Sequence, residues 1–325
     1  MIVVPPELCD FIYKGNKFLV VGHEEPDGDC AGSQLALVSA LRRLGKEAVA
    51  YSDGPFKRTE LTEYKDRFSP FPLELDGTNV IMVDCSSLRR IGQKAVLLAP
   101  LPLAIIDHHI TVTLNASTAS APVFLDSSAP AATVMILAVI EALGLQLTVD
   151  EAELLFLGLC TDTGFFRHLD IGSERHFEAA ARMVKAGASP KRIFQRIYEG
   201  KTLKSRLLVA KILSRCKSYF GGKLIIGTEK YKDRIVFGFE SRDSDTLYQL
   251  TQSIKGVEVT VLIRQDTPET CTLGFRSLNE IDVAAVAAVH FGGGGHKNAA
   301  GASVKGCIEQ VLPQVISIFE PIFTQ

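Results

Sequence analysis

The hydrophobic positions in the first part of the chain fall into short continuous runs. Such runs are typical of strands that are buried on both faces, as in a parallel sheet. We therefore predict strands at residues 18–22, 47–51, 80–83 and 103–106. A helical pattern lies between the first two of them, at about residues 30–44. This alternation of strands and helices predicts an α/β domain built on a doubly wound parallel sheet.

Helical patterns dominate the next part of the chain. We predict helices at about residues 128–143, 149–160 and 173–186 from their start signals and hydrophobic spacing. The segment at residues 190–216 is also helical in character, but it has no clear apolar face of its own. We interpret this segment as a connector between two domains, and we expect a hinge within it.

The pattern changes after residue 219 to short alternating runs that predict strands. We expect strands at residues 223–228, 235–239, 257–264 and 271–276, together with helices at about 245–254 and 283–290. This part of the chain therefore predicts a second, smaller α/β domain. The predicted boundaries are a first domain at residues 1–190, a basic helical linker at 191–217 and a second domain at 218–325.

Composition supports two domains and restricts the partners. The chain has 325 residues, 46% of them hydrophobic, which is more than one average domain needs. Its net charge of −2 means that a nucleic acid would have to bind a local basic surface. One such surface is predicted by ten Lys or Arg residues, at 185, 191, 192, 196, 201, 204, 206, 211, 215 and 217. A solvated helical face between domains explains the same residues equally well.

Cysteine usage indicates a reducing compartment. The seven cysteines include no Cys-x-x-Cys pair, and an odd number fits neither a disulfide framework nor a structural zinc site. The amino terminus has no basic flank followed by a long apolar stretch, and the apolar runs elsewhere are too short to cross a bilayer. We therefore expect a cytoplasmic protein without a membrane partner.

Acidic and histidine side chains follow the predicted strands and one predicted helix. His23, Asp27 and Asp29 come after the first strand, Asp84 after the third, His108 and His109 after the fourth, and Asp162 just past a helix. The carboxyl ends of parallel strands meet at one edge of a sheet, so we expect these groups to converge. Four converging carboxylates would repel one another unless cations offset their charge. The sequence therefore predicts a metal centre.

The spacing of these groups indicates two metal ions. Asp27 and Asp29 lie in one tight turn, so we expect each to bind a different ion, and Asp84 and Asp162 are candidates to bridge the pair. A ligand set of imidazole and carboxylate suits manganese, with iron, cobalt or magnesium as alternatives. Two such ions would activate a water as a hydroxide nucleophile and hold the oxygens of a phosphate ester. Of the two neighbouring histidines, one would reach a metal and the other the substrate.

A glycine run near the carboxyl terminus is the second specific signal. Gly292 to Gly295 are followed at once by His296 and preceded by a predicted helix. Successive glycine N–H groups can form an anion-binding turn, so the run predicts a loop that binds a phosphate or a nucleotide end. Arg276, after a predicted strand, is a candidate bidentate phosphate partner. A solvated arginine at a sheet edge is the alternative interpretation.

These motifs resemble the DHH phosphoesterases. The chain carries His-x-x-Pro-Asp-Gly-Asp at residues 23–29, Val-Asp at 83–84, Asp-His-His at 107–109 and Thr-Asp-Thr-Gly at 161–164. The motif Gly-Gly-Gly-Gly-His-Lys-Asn-Ala-Ala-Gly at 292–301 resembles the carboxyl-terminal DHHA1 module of the same family. The chain looks most like the stand-alone nanoRNase and pAp phosphatase group within it, where pAp is 3′-phosphoadenosine 5′-phosphate.

The resemblance implies a role for each motif residue. Asp84, His108 and His109 would be catalytic, in a cleft between a DHH domain and a smaller DHHA1 domain. Two Mn²⁺ ions, with Mg²⁺ or Co²⁺ as alternatives, would be held by six ligands: His23, Asp27, Asp29, Asp84, His108 and Asp162. The first ion would take His23, Asp27 and Asp84; the second would take Asp29, Asp84, His108 and Asp162. The substrate would be bound by His109, Arg276, Ser277, Gly293, Gly294, Gly295 and His296.

The activity implied by the resemblance is that of a bifunctional oligoribonuclease and 3′(2′),5′-bisphosphate nucleotidase. Its partners would be short RNA oligonucleotides and pAp, with dinucleotides as further candidates. A stand-alone phosphodiesterase for cyclic or linear dinucleotides is the alternative, because it would use the same centre. A nucleic-acid-binding protein without catalysis is a third hypothesis, and the complete ligand set argues against it. The oligomeric state is left open, a dimer included.

Overall fold

The computed structural model describes residues 2–109, 121–278 and 280–324, except for the side chains of Phe239 and His296. The chain divides into two compact units, Met1–Glu199 and Gly200–Gln325. The segment predicted as a linker, residues 191–217, contributes one helix to each of these units. In the first unit its helix buries Ile193 and packs Phe194 against Phe165, whose ring centroids are 5.3 Å apart.

The first unit is built around five parallel strands. They are β1 (Lys17–Val21), β2 (Glu47–Tyr51), β3 (Thr78–Val83), β4 (Leu103–Asp107) and β5 (Val123–Leu125), in the spatial order β2-β1-β3-β4-β5. Its helices are α1 (Pro6–Lys14), α2 (Gly28–Arg43), α3 (Ala95–Leu98), α4 (Ala132–Ala142), α5 (Val149–Asp162), α6 (Glu174–Lys185) and α7 (Pro190–Tyr198). The predicted parallel sheet and its first four strands are confirmed.

Both faces of this sheet are buried, which explains the continuous apolar runs. Phe18 and Val20 of β1 belong to the larger core under α2, α4 and α5. Leu19 and Val21 of the same strand face the opposite side and pack in a smaller core. Because successive strand residues point to opposite faces, a strand covered on both sides needs apolar residues at every position.

The second unit is a six-stranded mixed sheet with helices. In chain order its elements are α8 (Leu203–Leu213), β6 (Lys217–Tyr219), β7 (Leu224–Glu229), α9 (Tyr231–Phe237), α10 (Ser244–Gln252), β8 (Val259–Thr267), β9 (Thr270–Ser277), α11 (Val283–Phe291), β10 (Gly294–His296), β11 (Ala299–Lys305) and α12 (Ile308–Phe323). The spatial order is β10-β11-β9-β8-β7-β6, with β7 and β8 parallel and the other pairs antiparallel. The predicted second α/β domain is confirmed.

One predicted strand of the second unit is wrong. Residues 235–239 were expected to be extended, but Tyr231–Phe237 is the short helix α9. The apolar side chains that suggested a strand, Ile235 and Val236, are 69% and 62% exposed. The helix is held instead by Asp233, which is buried and accepts a hydrogen bond from the Lys230 amide at 3.0 Å. A local cap and tertiary ion pairs therefore outweigh the strand propensity of two β-branched residues.

Candidate metal centre

The predicted site residues of the first unit lie at the carboxyl edge of its sheet. β1, β3 and β4 are neighbours, and they are followed by His23, Asp84 and His108 respectively. The strand order reverses direction between β1 and β3, which is where ligands bind in open parallel sheets. Asp27 and Asp29 stand at the start of α2, and Asp162 is the last residue of α5. The expected convergence of these groups is observed.

Asp84 lies at the middle of the cluster. Its Oδ2 is 3.3 Å from His23 Nε2, and its Oδ1 is 3.3 Å from His108 Nε2. The carboxyl group is buried, and Oδ1 has no hydrogen-bond partner among the described residues. Asp84 also has a φ of 56°, a strained conformation for this residue type, and its amide is held by the Ile106 carbonyl at 3.0 Å. A buried carboxylate oxygen without a donor is where a cation would complete the structure.

His108 lies next to a second group of carboxylates, those of Asp29 and Asp162. Its Nε2 is 3.6 Å from Asp29 Oδ2 and 3.6 Å from Asp162 Oδ2, in addition to its contact with Asp84. Its Nδ1 lies 3.3 Å from the Ala129 carbonyl, which orients the ring and leaves Nε2 for the carboxylates. Ligand-type atoms of Asp29, His108 and Asp162 all lie within 4.8 Å of one another.

The two aspartates of the first motif also have structural contacts. Asp27 is the N-cap of α2, and its Oδ1 accepts hydrogen bonds from the Asp29 and Cys30 amides at 3.1 and 3.0 Å. The same oxygen is 3.9 Å from His23 Nε2. Asp29 is fully buried, and it accepts from the amides of Ala132 and Thr133 at the start of α4. These bonds fix both carboxylates before any ligand arrives.

Electrostatics favour a bound cation at this cluster. Burial raises the pKa of Asp29, and the neighbouring carboxylates of Asp84 and Asp162 raise it further. Burial likewise raises the pKa of Asp162 to about 6. A divalent ion would reverse this effect, because it favours the charged form of each carboxylate. The donor set of imidazole and carboxylate groups therefore fits divalent metal ions.

His108 is cationic at neutral pH when no metal is bound. Burial alone would lower the pKa of His108, but the close Asp84 carboxylate and the charge of Asp29 raise it to about 10. The pKa of His23 is also raised: burial would lower it, but the nearby carboxylates of Asp84 and Asp27 outweigh that effect. For Asp84, burial would raise the pKa, whereas the close imidazole groups of His108 and His23 lower it to about 2.

We predict that metal binding releases protons. A protonated imidazole cannot ligate a metal, and His108, with a pKa of about 10, is protonated at pH 8. Its ion pairs stabilise the metal-free protein below the unfolded-state pKa of 6.5, and this stabilisation is lost as the pH rises through about 10. Calorimetric titration with Mn²⁺ at pH 8, in two buffers of different ionisation enthalpy, should therefore show release of about one proton from His108.

The same titration of His108→Ala serves as the control and should release correspondingly fewer protons. Below pH 6 the release should increase, because Asp162, with a pKa of about 6, then also carries a proton. Equal heats in the two buffers for the unaltered protein would contradict the prediction.

His109 is oriented by a residue that the sequence interpretation did not assign. Asp107 is buried, and its Oδ1 lies 2.8 Å from His109 Nδ1 and accepts a hydrogen bond from the His109 amide at 3.2 Å. A proton at Nδ1 is thereby held by Asp107, and Nε2 is left for other contacts. His109 Nδ1 is also 3.7 Å from Asp84 Oδ1. The clue in the sequence was the position of Asp107 at the end of an apolar strand.

We expect Asp107→Asn to lower kcat by about 10- to 100-fold, the range seen when a group that orients a site histidine is removed. The amide keeps the size of the side chain but loses the charge that holds the imidazole. Steady-state kinetics with Mn²⁺ measure the effect, and Asp76→Asn, at an exposed position of the same unit, is the matched control. An unchanged kcat in Asp107→Asn would show that His109 needs no such support.

Cys30 also lies in the cluster but is a poor ligand. Its Sγ is within 4.8 Å of ligand-type atoms of His23 and Asp84. Burial raises the pKa of the Cys30 thiol well above its ordinary value, and the charges of Asp84 and Asp27 raise it further. The thiol is therefore protonated, and it contacts Gln34 Oε1 at 3.6 Å. Only a thiolate binds metal strongly, so oxygen and nitrogen ligands remain the better choice.

The predicted substrate residues other than His109 lie in the second unit. Arg276 and Ser277 end β9, and Arg276 pairs in register with Ala299 of β11. Ser277 is buried, and its hydroxyl contacts the Lys297 carbonyl at 3.5 Å and the Asn298 side-chain amide at 3.3 Å. These contacts fasten the turn at residues 297–298 to β9. The side chain of His296 lies outside the described part of the chain.

The prediction of a loop through Gly295 is wrong, because Gly294, Gly295 and His296 form β10 and pair with β11. Gly293 precedes this strand, and a Cβ there would lie 2.2 Å from the Gly301 carbonyl oxygen. A side chain at this position is therefore excluded by close packing of backbone against backbone. Gly294 differs, because a Cβ there would have no neighbour within 4 Å. The surface at Gly294 is thus open to a ligand.

Within the described residues, no helix combines the length and the apolar character needed to cross a membrane. All seven cysteines are free thiols.

Comparison with known proteins agrees with this arrangement. The sequence model of the DHH family, N-terminal domain, matches residues 17–159, and that of the DHHA1 domain matches residues 230–325. A bifunctional oligoribonuclease and PAP phosphatase, NrnA, from Thermus thermophilus is 31% identical over 91% of this chain and 87% of its own length. A cyclic-di-AMP phosphodiesterase, GdpP, from Bacillus subtilis is 22% identical over 98% of this chain, which spans only 50% of that protein.

A solved structure has the same fold over the full length of both chains. It is an exopolyphosphatase-related protein from Bacteroides fragilis, with a TM-score of 0.87 and 21% sequence identity. The similarity to the Thermus protein extends over both matched domains and most of each chain. This chain therefore belongs to the DHH family of phosphoesterases, with a DHH domain followed by a DHHA1 domain, and it is a hydrolase.

Proposed function

We propose that this phosphoesterase hydrolyses short RNA oligonucleotides to nucleoside monophosphates and converts pAp to AMP, with two Mn²⁺ ions in the first unit. The observation that carries the proposal is the position of Asp84, whose two carboxylate oxygens each contact a different imidazole, His23 and His108. One carboxylate shared by two ligand sets is the arrangement that a pair of metal ions requires. The similarity to the oligoribonuclease and PAP phosphatase of Thermus supports the choice of substrates.

The ligands divide into two sets around Asp84. His23 and Asp27 would complete the first set. His23 Nε2 lies 3.3 Å from Asp84 Oδ2 and 3.9 Å from Asp27 Oδ1. His108, Asp29 and Asp162 would complete the second set, since each carboxylate lies 3.6 Å from His108 Nε2. Carboxylate and imidazole ligands suit Mn²⁺, with Mg²⁺ or Co²⁺ as alternatives. Bound ions would lower the pKa of a water and offset the negative charge of the phosphate oxygens.

His109 would contact the scissile phosphate. Asp107 holds the Nδ1 side of its ring at 2.8 Å, so Nε2 is the atom left to donate a proton to, or accept one from, the reacting groups. Asp84 and His108 would be catalytic together with it, through the ions that they hold. Arg276, Ser277, Gly293, Gly294, Gly295 and His296 would bind the far end of the substrate in the second unit.

A second activity is favoured by a specific observation. The cyclic-di-AMP phosphodiesterase of Bacillus subtilis matches 98% of this chain, including both domains. The alternative proposal is therefore a phosphodiesterase for cyclic or linear dinucleotides that uses the same metal centre. With either substrate we place the protein in the cytoplasm, which agrees with seven free cysteines.

A substrate panel tests the proposal. The purified protein with Mn²⁺ would be assayed on RNA dimers to pentamers, pAp, cyclic and linear dinucleotides, and pyrophosphate. We expect nucleoside monophosphates from the RNA and inorganic phosphate from pAp. Hydrolysis of dinucleotides alone would support the alternative, whereas hydrolysis of none of these compounds would refute both activities. Repeating the panel after chelation and again after addition of Mn²⁺, Mg²⁺ or Co²⁺ identifies the ion.

A further inference from the structure

Two arginine side chains of the second unit converge on one buried tyrosine. Tyr248, in α10, is 4% exposed. The Arg276 guanidinium carbon lies 4.5 Å from the centroid of its ring, and Arg264 Nη2 donates to its hydroxyl oxygen at 3.4 Å. One tyrosine thus holds one guanidinium over its ring and another at its hydroxyl.

Sheet register places both arginines on the face that α10 covers. Leu262 of β8 pairs with Gly274 of β9. Arg264 and Arg276 each lie two residues beyond a member of that pair, so both side chains emerge on the same face. Gly274 is required there, because a Cβ would lie 2.1 Å from the Tyr248 hydroxyl oxygen. The missing side chain is what lets Tyr248 lie against the sheet between the two arginines.

The positive charge at this place has no carboxylate in direct contact among the described residues, although the charge of Arg264 acts on Asp266: burial would raise the pKa of Asp266, whereas Thr272, Arg242 and Arg264 lower it. Neither Arg264 nor Arg276 forms an ion pair within the residues that the structure describes, although both are half-buried. Other arginines of the same unit differ: Arg206, Arg215 and Arg242 each contact an aspartate or glutamate. Two cations held at one tyrosine without a direct ion pair repel each other, and the ring of Tyr248 offsets only part of that cost.

Tyr248 is neutral in this environment. Burial raises its pKa, and this effect exceeds the lowering by Arg264 and Arg276. The hydroxyl therefore stays protonated, so the tyrosine supplies a π-face and a hydrogen-bond acceptor but no charge. A phosphate carries the negative charge that the pair of guanidinium groups lacks, and guanidinium groups bind phosphate oxygens in bidentate fashion.

We propose that Tyr248 positions Arg264 and Arg276 as a paired receptor for a phosphate group of the substrate. The inference rests on the proposed function and extends it, because it adds Arg264 as a binding residue and Tyr248 as a positioning residue. A purely structural role for Tyr248, in the small core that it forms with Leu208, Val209 and Leu247, is the competing explanation.

Binding to the full-length, metal-free protein tests the receptor without hydrolysis. Calorimetry with pAp would compare the unaltered protein with Arg264→Gln, Tyr248→Phe and Tyr248→Leu. We expect the Kd to rise about tenfold in Arg264→Gln and Tyr248→Leu, and about two- to fivefold in Tyr248→Phe, which keeps the ring under Arg276. Adenosine, which has no phosphate, should bind all of them alike. Lys255→Gln removes an exposed charge of the same unit and is the control for a general field effect.

Kinetics and thermal unfolding separate positioning from structural support. With Mn²⁺, Arg264→Gln should raise KM and leave kcat nearly unchanged, and its Tm should equal that of the unaltered protein. If Tyr248→Leu does not fold, Tyr248→Phe and Arg264→Gln decide the question.

Equal pAp affinity in the unaltered protein and Arg264→Gln would overturn the receptor while leaving the proposed function intact. If the unaltered protein does not bind pAp, the same comparison with inorganic phosphate decides: weaker binding by Arg264→Gln supports the receptor, and no difference overturns it.

Discussion

Asp84→Asn is expected to lower kcat for every substrate by about 10³- to 10⁴-fold, which corresponds to about 4 to 5.5 kcal/mol of transition-state stabilisation. Within the described residues, Asp84 is the one side chain whose two oxygens each contact a different imidazole, so the substitution disturbs both proposed ligand sets at once. An amide is a much weaker ligand than a carboxylate for a divalent ion. Steady-state kinetics and metal analysis of the purified variant measure the loss.

The fold of Asp84→Asn should be retained, because the amide has the size of the carboxyl group and the strained φ of residue 84 is tolerated by Asn. Circular dichroism and thermal unfolding check this point. Asp76→Asn, at an exposed position of the same unit, is the matched control and should keep full activity. Full activity in Asp84→Asn would refute the two-metal proposal.

The second large effect concerns the stability of the second unit. Asp233 is fully buried and is held by Lys211 Nζ at 3.0 Å, by the guanidinium group of Arg215 and by the Lys230 amide at 3.0 Å. Among the described contacts, Asp233 is the carboxylate that offsets the charges of Lys211 and Arg215. Asp233→Asn removes this negative charge. Lys211 and Arg215 are partly exposed, so water can solvate the charges left behind, and the loss is about 1–3 kcal/mol. We therefore expect denaturant unfolding of the second unit at clearly lower concentration.

The pH dependence of this loss has a definite sign. Burial would raise the pKa of Asp233, but hydrogen bonds from Arg215 and Lys211 lower it from 3.8 to about 2. The stabilisation is therefore fully present above the unfolded-state pKa and is lost as the pH falls through about 2. The difference between Asp233→Asn and the unaltered protein should be constant from pH 5 to 8 and shrink in acid. Glu269→Gln, an exposed carboxylate of the same unit, is the control, and an unchanged midpoint in Asp233→Asn would contradict the argument.

Much of the first unit could be predicted because its signals are local. Strands buried on both faces need continuous apolar runs, and four such runs became β1 to β4. The short strand β5 was missed, since three residues carry too weak a pattern.

In the second unit, helix α12 was missed, because Pro313 and Pro321 interrupt its pattern and proline normally ends a helix. Burial of Val311, Val315 and Phe319 on one face of the helix offsets the stability that the two prolines remove.

The metal cluster was predictable for a different reason. Parallel strands all end at one edge of their sheet, so residues that follow neighbouring strands must lie close together. His23, Asp84 and His108 could therefore be placed together before any distance was known. The support of His109 by Asp107 was harder to predict, because a single acid at a strand end has many ordinary uses. The second unit was predicted less well. Gly294 to His296 pair with β11 in a tight hairpin, but glycine has a low strand propensity, so the run suggests a loop.

By itself the sequence determined the fold class, the two-domain organisation and the set of acids and histidines available at one sheet edge. These three features follow from hydrophobic periodicity and from strand direction, and both depend on the order of neighbouring residues along the chain. Only the tertiary structure decided which oxygen of Asp84 lies against His23 and which against His108, that Asp107 holds His109, and that Tyr248 contacts both Arg264 and Arg276. Apart from the contact of Asp107 with His109, these contacts join residues far apart in sequence, and side-chain packing and burial determine all of them.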